Sequence, residues 1–235
     1  MFGLGTPFWV VAALCAASLL LAWVMVYSEA KEYHIVTYLS KTVASICFVS
    51  AGFIGVAVSN VEKPFALLVL GGLVFGMLGD IFLCRVQIAR EEYWDILLNA
   101  GGAFFLAGHL CYFVLFITMG GTLHLWEYIL VPLLMMLVFV LMKTQRWKIP
   151  RKNWLSYMGY ALVSGLMLSG AMEVMIEDPL PVEITLASAA FIFILSDIAL
   201  ATWNYGRFHT VWMRYICISL YYIAQILFVF GILLN

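Results

Sequence analysis

The chain has 235 residues, of which 65% are hydrophobic and 11% are charged, and its mean hydropathy is +1.04. Twelve Lys and Arg residues nearly balance thirteen Asp and Glu residues, so the formal net charge is −1. This composition excludes a soluble globular domain and indicates an integral membrane protein.

Apolar runs recur along the whole chain, each long enough to cross about 30 Å of hydrocarbon as a helix of roughly 20 residues. The eight predicted spans are Phe8 to Tyr27, Ile35 to Val58, Pro64 to Cys84, Ile96 to Thr118, Leu125 to Met142, Trp154 to Met172, Pro181 to Ala201 and Val211 to Leu234. We therefore predict an all-α fold, a polytopic membrane bundle of eight transmembrane helices. The loops are short, so residues 1–235 are expected to form a single transmembrane domain.

Basic residues are concentrated in the loops that follow spans one, three, five and seven. These loops or their edges carry Lys31, Arg85, Arg90, Lys143, Arg146, Lys148, Arg151, Lys152, Arg207 and Arg214, whereas the opposite side carries Lys63. Because Lys and Arg near span ends are retained in the cytoplasm, both termini are predicted to lie outside. A multi-pass protein of a bacterial inner (cytoplasmic) membrane fits this pattern. The topology also accounts for the basic segment at residues 143–152, so no nucleic-acid partner is expected.

Two similar segments each place one aspartate in an apolar span. GDIFLC at residues 79–84 contains Asp80, and SDIALA at residues 196–201 contains Asp197. Their similarity points to a weak four-helix repeat, residues 1–120 and 121–235, of the parallel kind seen in some transporters. Placing an ionised Asp at the centre of a lipid-facing helix costs about 3 kcal/mol of free energy, so we expect both aspartates to have polar partners or a functional role.

Lys41 is a third charge inside the membrane, in the second predicted span. Lys41, Asp80 and Asp197 all fall in the half of the membrane predicted to be cytoplasmic, and we expect them to share one polar cavity. One Lys cannot neutralise two aspartates, and repulsion between the carboxylates would then keep one of them protonated. Such a pair is a general acid and base. The alternative is a structural ion pair that fixes helix packing.

Further polar side chains recur at helical spacing in the fourth and eighth spans. GHLCY places His109 and Tyr112 on one helix face, and YYIAQ places Tyr221 and Tyr222 near Gln225. Each of these groups has an alternative role as an interhelical hydrogen bond. The five cysteines form no CxxC pair, and GxSxG and HExxH motifs are absent from the sequence, so no metal or other cofactor is expected.

The polar motifs occur one per helix in a fixed order across most of the chain. Lys41 comes first, followed by GD at residues 79–80, GHxxY at 108–112, SDxxLA at 196–201 and YxxAQ at 221–225. In this order the chain resembles the YhhN family. Two departures are TVAS after Lys41, where a proline is expected, and a loose match over residues 204–208.

The characterised members of that family are lysoplasmalogenases, which hydrolyse the vinyl ether bond of lysoplasmalogens. The products are a fatty aldehyde and glycerophosphoethanolamine or glycerophosphocholine. The resemblance implies that Asp80 and Asp197 are the catalytic pair and that the partners are a lysophospholipid substrate and membrane lipid. The depth of Lys41 and the two aspartates predicts that the active site lies toward the cytoplasm. The residues expected to bind substrate or to orient water are Lys41, His109, Tyr112, Asn204, Tyr221, Tyr222 and Gln225.

The chemistry of a vinyl ether agrees with two carboxylates, because cleavage needs two groups. One is an acid that protonates the outer alkene carbon, and the other stabilises the resulting cation or activates water. Three alternatives remain. The first is a proton-coupled transporter that uses Asp80, Asp197 and Lys41 as a relay. The others are a lipid-binding or sensing protein with a structural polar cluster, and a lipid hydrolase that cleaves an ester or amide.

Overall fold

The computed structural model describes residues 6–86, 88–120, 130, 131, 133, 134, 136, 137, 140, 144, 154–177, 179–206 and 209–235. Its long helices are α1 (Thr6–Ala30), α2 (His34–Val58), α3 (Lys63–Arg85), α4 (Trp94–Thr118), α5 (Trp154–Glu177), α6 (Pro181–Tyr205) and α7 (Val211–Leu234). A 3₁₀ turn, Glu91–Tyr93, precedes α4. The described residues contain no β-strand, so the all-α prediction is confirmed for this part of the chain.

All seven helices are long and apolar enough to span a membrane. They correspond to seven of the eight predicted spans, so the described residues give seven long helices where the sequence predicts eight. The remaining span, Leu125 to Met142, lies mostly outside the described residues. Within it, Val131 is helical and buried, and a methyl group added to Gly165 of α5 would lie 3.3 Å from its side chain. The internal repeat and the orientation of the termini stay predictions.

The helix starts follow from local chemistry. Pro64 and Pro181 occupy the first turns of α3 and α6, where the missing proline N–H costs no helical hydrogen bond. Thr210 caps α7, since its side-chain oxygen accepts a hydrogen bond from the Met213 amide. The two prolines and the Thr210 cap fix where α3, α6 and α7 begin, and therefore how deep in the membrane their polar residues lie.

Neighbouring helices in the chain pack side by side in a ring. The contacts run from α1 to α2, α2 to α3, α3 to α4, α4 to α5, α5 to α6 and α6 to α7, and α7 closes the ring against α1. Helix α7 also contacts α2 and α3 across the ring. Polar side chains of α7 therefore reach the charged residues of α2 and α3 inside the bundle.

Glycines bring α3 and α4 unusually close together. A methyl group at Gly101 or Gly108 of α4 would lie 3.3 Å from the main-chain oxygen of Gly79 or Gly72 of α3, respectively. A methyl group at Gly79 would lie 2.7 Å from the ring of Phe105. Small residues at membrane helix interfaces permit such close backbone approach, which strengthens packing where lipid supplies no hydrophobic drive.

We expect Gly79→Ala to lower the free energy of unfolding by about 1–3 kcal/mol, because the added methyl overpacks the contact with Phe105. Gly102→Ala on α4 is the matched control, since its added methyl meets no atom within 4 Å. The control should be neutral or slightly stabilising because alanine favours a helix over glycine. Unfolding of both variants in detergent tests this, and equal effects at the two positions would contradict it.

Candidate functional site

Two aspartates lie within the membrane-spanning parts of α3 and α6. Asp80 lies five residues before the end of α3, and Asp197 lies eight residues before the end of α6. At 1.5 Å per residue, they are about 8 Å and about 12 Å from their helix ends. Each carboxylate therefore needs polar partners from adjacent helices.

Asp80 is enclosed and paired with a permanent cation. Its Oδ1 atom lies 3.0 Å from Nζ of Lys41, and the two side chains are 1% and 7% exposed, respectively. Its Oδ2 atom accepts a hydrogen bond of 2.6 Å from Oγ of Ser45. Both carboxylate oxygens of Asp80 are thus held by groups on α2, one from Lys41 and one from Ser45.

The Tyr222 hydroxyl extends this cluster. It lies 3.0 Å from Oγ of Ser45 and 3.3 Å from the main-chain oxygen of Lys41. Ser45 has a single hydroxyl proton, and donating it to the carboxylate of Asp80 forms the stronger hydrogen bond. The Ser45 oxygen can then accept the Tyr222 proton, so a chain of donors runs from Tyr222 through Ser45 to Asp80.

Asp197 has different partners and is more accessible. Its Oδ2 atom lies 3.1 Å from Nε2 of His109 on α4, and the side chain of Asp197 is 18% exposed while that of His109 is fully buried. The Tyr160 hydroxyl of α5 donates a hydrogen bond of 3.1 Å to the same Oδ2 atom. The His109 contact lacks the alignment of an ideal hydrogen bond and acts as a close electrostatic contact.

The tautomer of His109 follows from its other nitrogen. Nδ1 lies 2.9 Å from the main-chain oxygen of Phe105, and a carbonyl oxygen can only accept, so Nδ1 must carry a hydrogen. If Nε2 had no hydrogen and Asp197 were ionised, two lone pairs would face each other at 3.1 Å. At least one of Nε2 of His109 and Oδ2 of Asp197 therefore carries a hydrogen. An imidazolium beside a carboxylate and an imidazole beside a carboxylic acid both satisfy this requirement.

The arrangement differs from the shared cavity expected from the sequence. Lys41 pairs with Asp80, whereas His109 contacts Asp197, so each carboxylate has its own cation or proton source. The two clusters differ in their basic partner, which is a primary amine at Asp80 and an imidazole at Asp197.

Aromatic rings link the two clusters. The ring of His109 lies 4.6 Å from that of Phe193, which lies 5.5 Å from Tyr221, and Tyr221 lies 5.1 Å from Tyr222. All these distances join ring centroids. Phe193, Tyr221 and Tyr222 are all buried, so bulk water does not surround these rings and electrostatic interactions beside them are strengthened.

Tyr112 and Gln225 lie deeper in the bundle. The Tyr112 hydroxyl donates a hydrogen bond of 2.9 Å to Oε1 of Gln225, and its ring stacks on that of Phe228. The Tyr221 hydroxyl faces both Asp80 and the Gln225 amide without the alignment of a hydrogen bond to either. Because catalytic hydrogen bonds often tighten only when substrate binds, Tyr221 and Gln225 remain candidates to orient water.

Asn204 is the one predicted site residue that the structure places apart. Its side chain is exposed in the last turn of α6, beyond the enclosed clusters. Two partners were missed from the sequence, Ser45 and Tyr160. Ser45 lies four residues after Lys41 on the same face of α2, which spacing could have shown, whereas Tyr160 gives no sequence signal that connects it to Asp197. The described residues contain no group of three His, Cys, Asp or Glu side chains that could hold a metal ion.

Comparison with known proteins identifies one family. Residues 36–232 match the YhhN family, which is most of the chain and includes both aspartates and all their described partners. Searches of curated proteins and of solved structures each give no match.

We expect Lys41→Met to lower the free energy of unfolding by about 3–5 kcal/mol, because it leaves the enclosed Asp80 carboxylate without its cation. Adding Asp80→Asn should restore part of this loss, so that the two effects are not additive. Reversible unfolding in detergent measures the cycle. The control is Lys63→Met at the exposed start of α3, which should change stability by less than about 0.5 kcal/mol. Additive losses for Lys41 and Asp80 would show that the pair does not contribute as a unit.

Proposed function

The chain belongs to the YhhN family, and from this premise we propose that it is a membrane lysoplasmalogenase. It hydrolyses the vinyl ether bond of an alkenyl glycerophosphoethanolamine or glycerophosphocholine to a fatty aldehyde and the glycerophospho-alcohol. The observation that carries the proposal is the contrast between the two aspartates. Asp80 lies 3.0 Å from Nζ of Lys41 and is the proposed anion, and Asp197 lies 3.1 Å from Nε2 of His109 and is the proposed acid.

The reaction requires these two states at once. A vinyl ether becomes reactive when a proton adds to its outer alkene carbon, which leaves an oxocarbenium ion at the carbon bonded to oxygen. A proton donor must therefore act next to a group that tolerates or stabilises positive charge, as in glycoside hydrolysis. No covalent nucleophile is needed for this route.

Asp197 is the proposed proton donor. Its side chain is 18% exposed, so substrate can reach it, whereas the Asp80 side chain is 1% exposed. The proton held between Asp197 and His109 is the one transferred to the outer alkene carbon. Tyr160, which donates to the same carboxylate oxygen, holds Asp197 in position.

Asp80 is the proposed ionised group. Lys41 and Ser45 keep its negative charge in place, and preorganised charge of this kind in a dry site stabilises a developing cation without reorganisation. In this proposal Lys41 holds the carboxylate in place and does not bind the substrate.

The atoms balance with one water molecule. The proton from the Asp197 and His109 pair adds to the outer carbon, and water oxygen then bonds to the oxocarbenium carbon and returns a proton to that pair. The hemiacetal collapses when its bond to the glycerol oxygen breaks. The hemiacetal hydroxyl gives up its proton as the aldehyde C=O forms, and the glycerol oxygen takes up one proton. Tyr221 and Gln225 are the proposed donors that orient the attacking water.

We expect purified protein to release fatty aldehyde from an alkenyl lysophospholipid and not from its saturated alkyl ether twin. Asp80→Asn and Asp197→Asn should each reduce the rate by at least about 100-fold, because the first removes the proposed anion and the second removes the proposed proton donor. Asp95→Asn is the control, since Asp95 is exposed at the start of α4, and it should retain the wild-type rate.

Thermal unfolding of each variant separates lost chemistry from lost folding. If folded wild-type protein releases no aldehyde but takes up solute into liposomes in response to a proton gradient, the transporter alternative replaces the hydrolase. If folded Asp80→Asn and Asp197→Asn keep the wild-type rate, the proposed mechanism is wrong.

Tyr160→Phe should lower kcat by about 10-fold and leave KM nearly unchanged, because it removes a hydrogen bond to Asp197 and no proposed contact to the lipid. Tyr157→Phe, one turn earlier on α5, is the matched control. Its hydroxyl contacts that of Tyr205 rather than Asp197. Aldehyde release at varied substrate concentration gives both constants, and an equal loss in the two variants would remove Tyr160 from the mechanism.

A further inference from the structure

A cavity opens at the end of the bundle where α1 and α6 end and α7 begins. Its volume is about 230 Å³, and it is lined by Val26, Glu29, Ala30, Trp203, Val211 and Arg214. This volume is below the roughly 300–1,000 Å³ of sites that enclose a whole drug-sized ligand. The cavity therefore suits a small polar group rather than a complete lipid.

The cavity carries both signs of charge side by side. Nε and Nη2 of Arg214 lie 2.7 Å and 3.2 Å from the two carboxylate oxygens of Glu29. The side chains are 12% and 22% exposed, respectively. These contacts use two of the five N–H groups of the guanidinium, so Arg214 retains donors for a second anion.

The third feature is an aromatic ring. Trp203 lines the same cavity, and the guanidinium carbon of Arg214 lies 5.9 Å from its ring centroid. An indole ring is the strongest aromatic partner for cations, including quaternary ammonium groups. Together, Glu29, Trp203 and Arg214 provide an anion, a cation and an aromatic ring, and we call these three residues the rim site.

We propose that the rim site binds the zwitterionic headgroup of a lysophospholipid, with the phosphate on Arg214 and the ammonium group against Glu29 and Trp203. This inference rests on the proposed function and deepens it. A headgroup with both charges matches the site, whereas a phosphate without an amine leaves Glu29 facing a second anion.

The spacing between the rim site and the aspartates fits the substrate. Trp203 lies six residues after Asp197 on α6, and Arg214 lies seven residues before Tyr221 on α7, which correspond to about 9 Å and about 10 Å along the helix axes. Seven bonds separate the phosphorus of an alkenyl lysophospholipid from its outer vinyl carbon. An extended chain covers about 3.8 Å in three bonds, so these seven bonds reach about 9 Å.

In the proposed complex, one substrate molecule contacts both regions, with its headgroup at the bundle end and its vinyl ether beside the aspartates.

The test measures binding of saturated alkyl ether lysophospholipids, which have no vinyl ether to cleave. Three ligands share one chain and carry phosphocholine, phosphoethanolamine or a bare phosphate. Wild-type protein should bind the two zwitterions at least about 10-fold more tightly than the bare phosphate. Glu29→Gln should abolish this preference, and Trp203→Leu should weaken phosphocholine binding by about 5-fold or more while leaving bare phosphate nearly unchanged.

Two controls keep the result independent of folding and of general charge. Glu29→Arg combined with Arg214→Glu retains an ion pair but reverses it, so a folded double variant should also lose the preference. Arg85→Gln removes an exposed base at the end of α3, and this variant should retain the preference for zwitterions. Inorganic phosphate in millimolar excess should not displace the zwitterions, and displacement would show a simple anion site instead.

These measurements distinguish a wrong headgroup site from a wrong proposed hydrolysis. If folded Glu29→Gln and the reversed pair both keep the wild-type preference, the rim site is not the headgroup site, even where aldehyde release is normal. If the preference is lost as expected but wild-type protein releases no aldehyde, the headgroup site stands and the proposed hydrolysis falls.

Discussion

The buried ion pair between Lys41 and Asp80 is the interaction on which the rest of the bundle's polar interior depends. A single charge at this depth is costly, and the pair becomes tolerable because its members lie 3.0 Å apart and Ser45 takes the second carboxylate oxygen. This requirement ties α2 to α3. It also fixes the position of Tyr222 on α7, whose hydroxyl reaches the same group of atoms. The pair thus determines how α7 packs against α2 and α3.

The second carboxylate shows what a change of partner does to the same side chain. Asp197 faces His109, whose ring nitrogen Nδ1 donates to the Phe105 carbonyl, so at least one of the remaining ring nitrogen and the carboxylate oxygen carries a hydrogen. The proposed roles, with Asp197 as proton donor and Asp80 as a fixed negative charge, follow from the different partners of the two side chains.

Packing between apolar residues makes the polar arrangement possible. Glycines on α3 and α4 bring the two backbones together, and this places His109 of α4 and Asp80 of α3 on the inside of one ring of helices. The aromatic rings of Phe193, Tyr221 and Tyr222 fill the space between the clusters. The proposed rim site then extends the same interior to the end of the bundle, where a headgroup can remain near water while its alkenyl chain stays in the bilayer.

The amino-acid sequence by itself determined the helical membrane fold, the positions of seven described spans and the residue types of the site, because hydropathy and helical spacing are local properties. It also pointed to the family and to both aspartates, since a charge in an apolar span stands out without any coordinates. The tertiary structure alone decided the pairing. Lys41 contacts Asp80 and not Asp197, Tyr160 joins His109 at Asp197, and Asn204 lies exposed at a helix end. These contacts join residues on different helices, and their order around the ring depends on packing between helices, which no local pattern in the chain records.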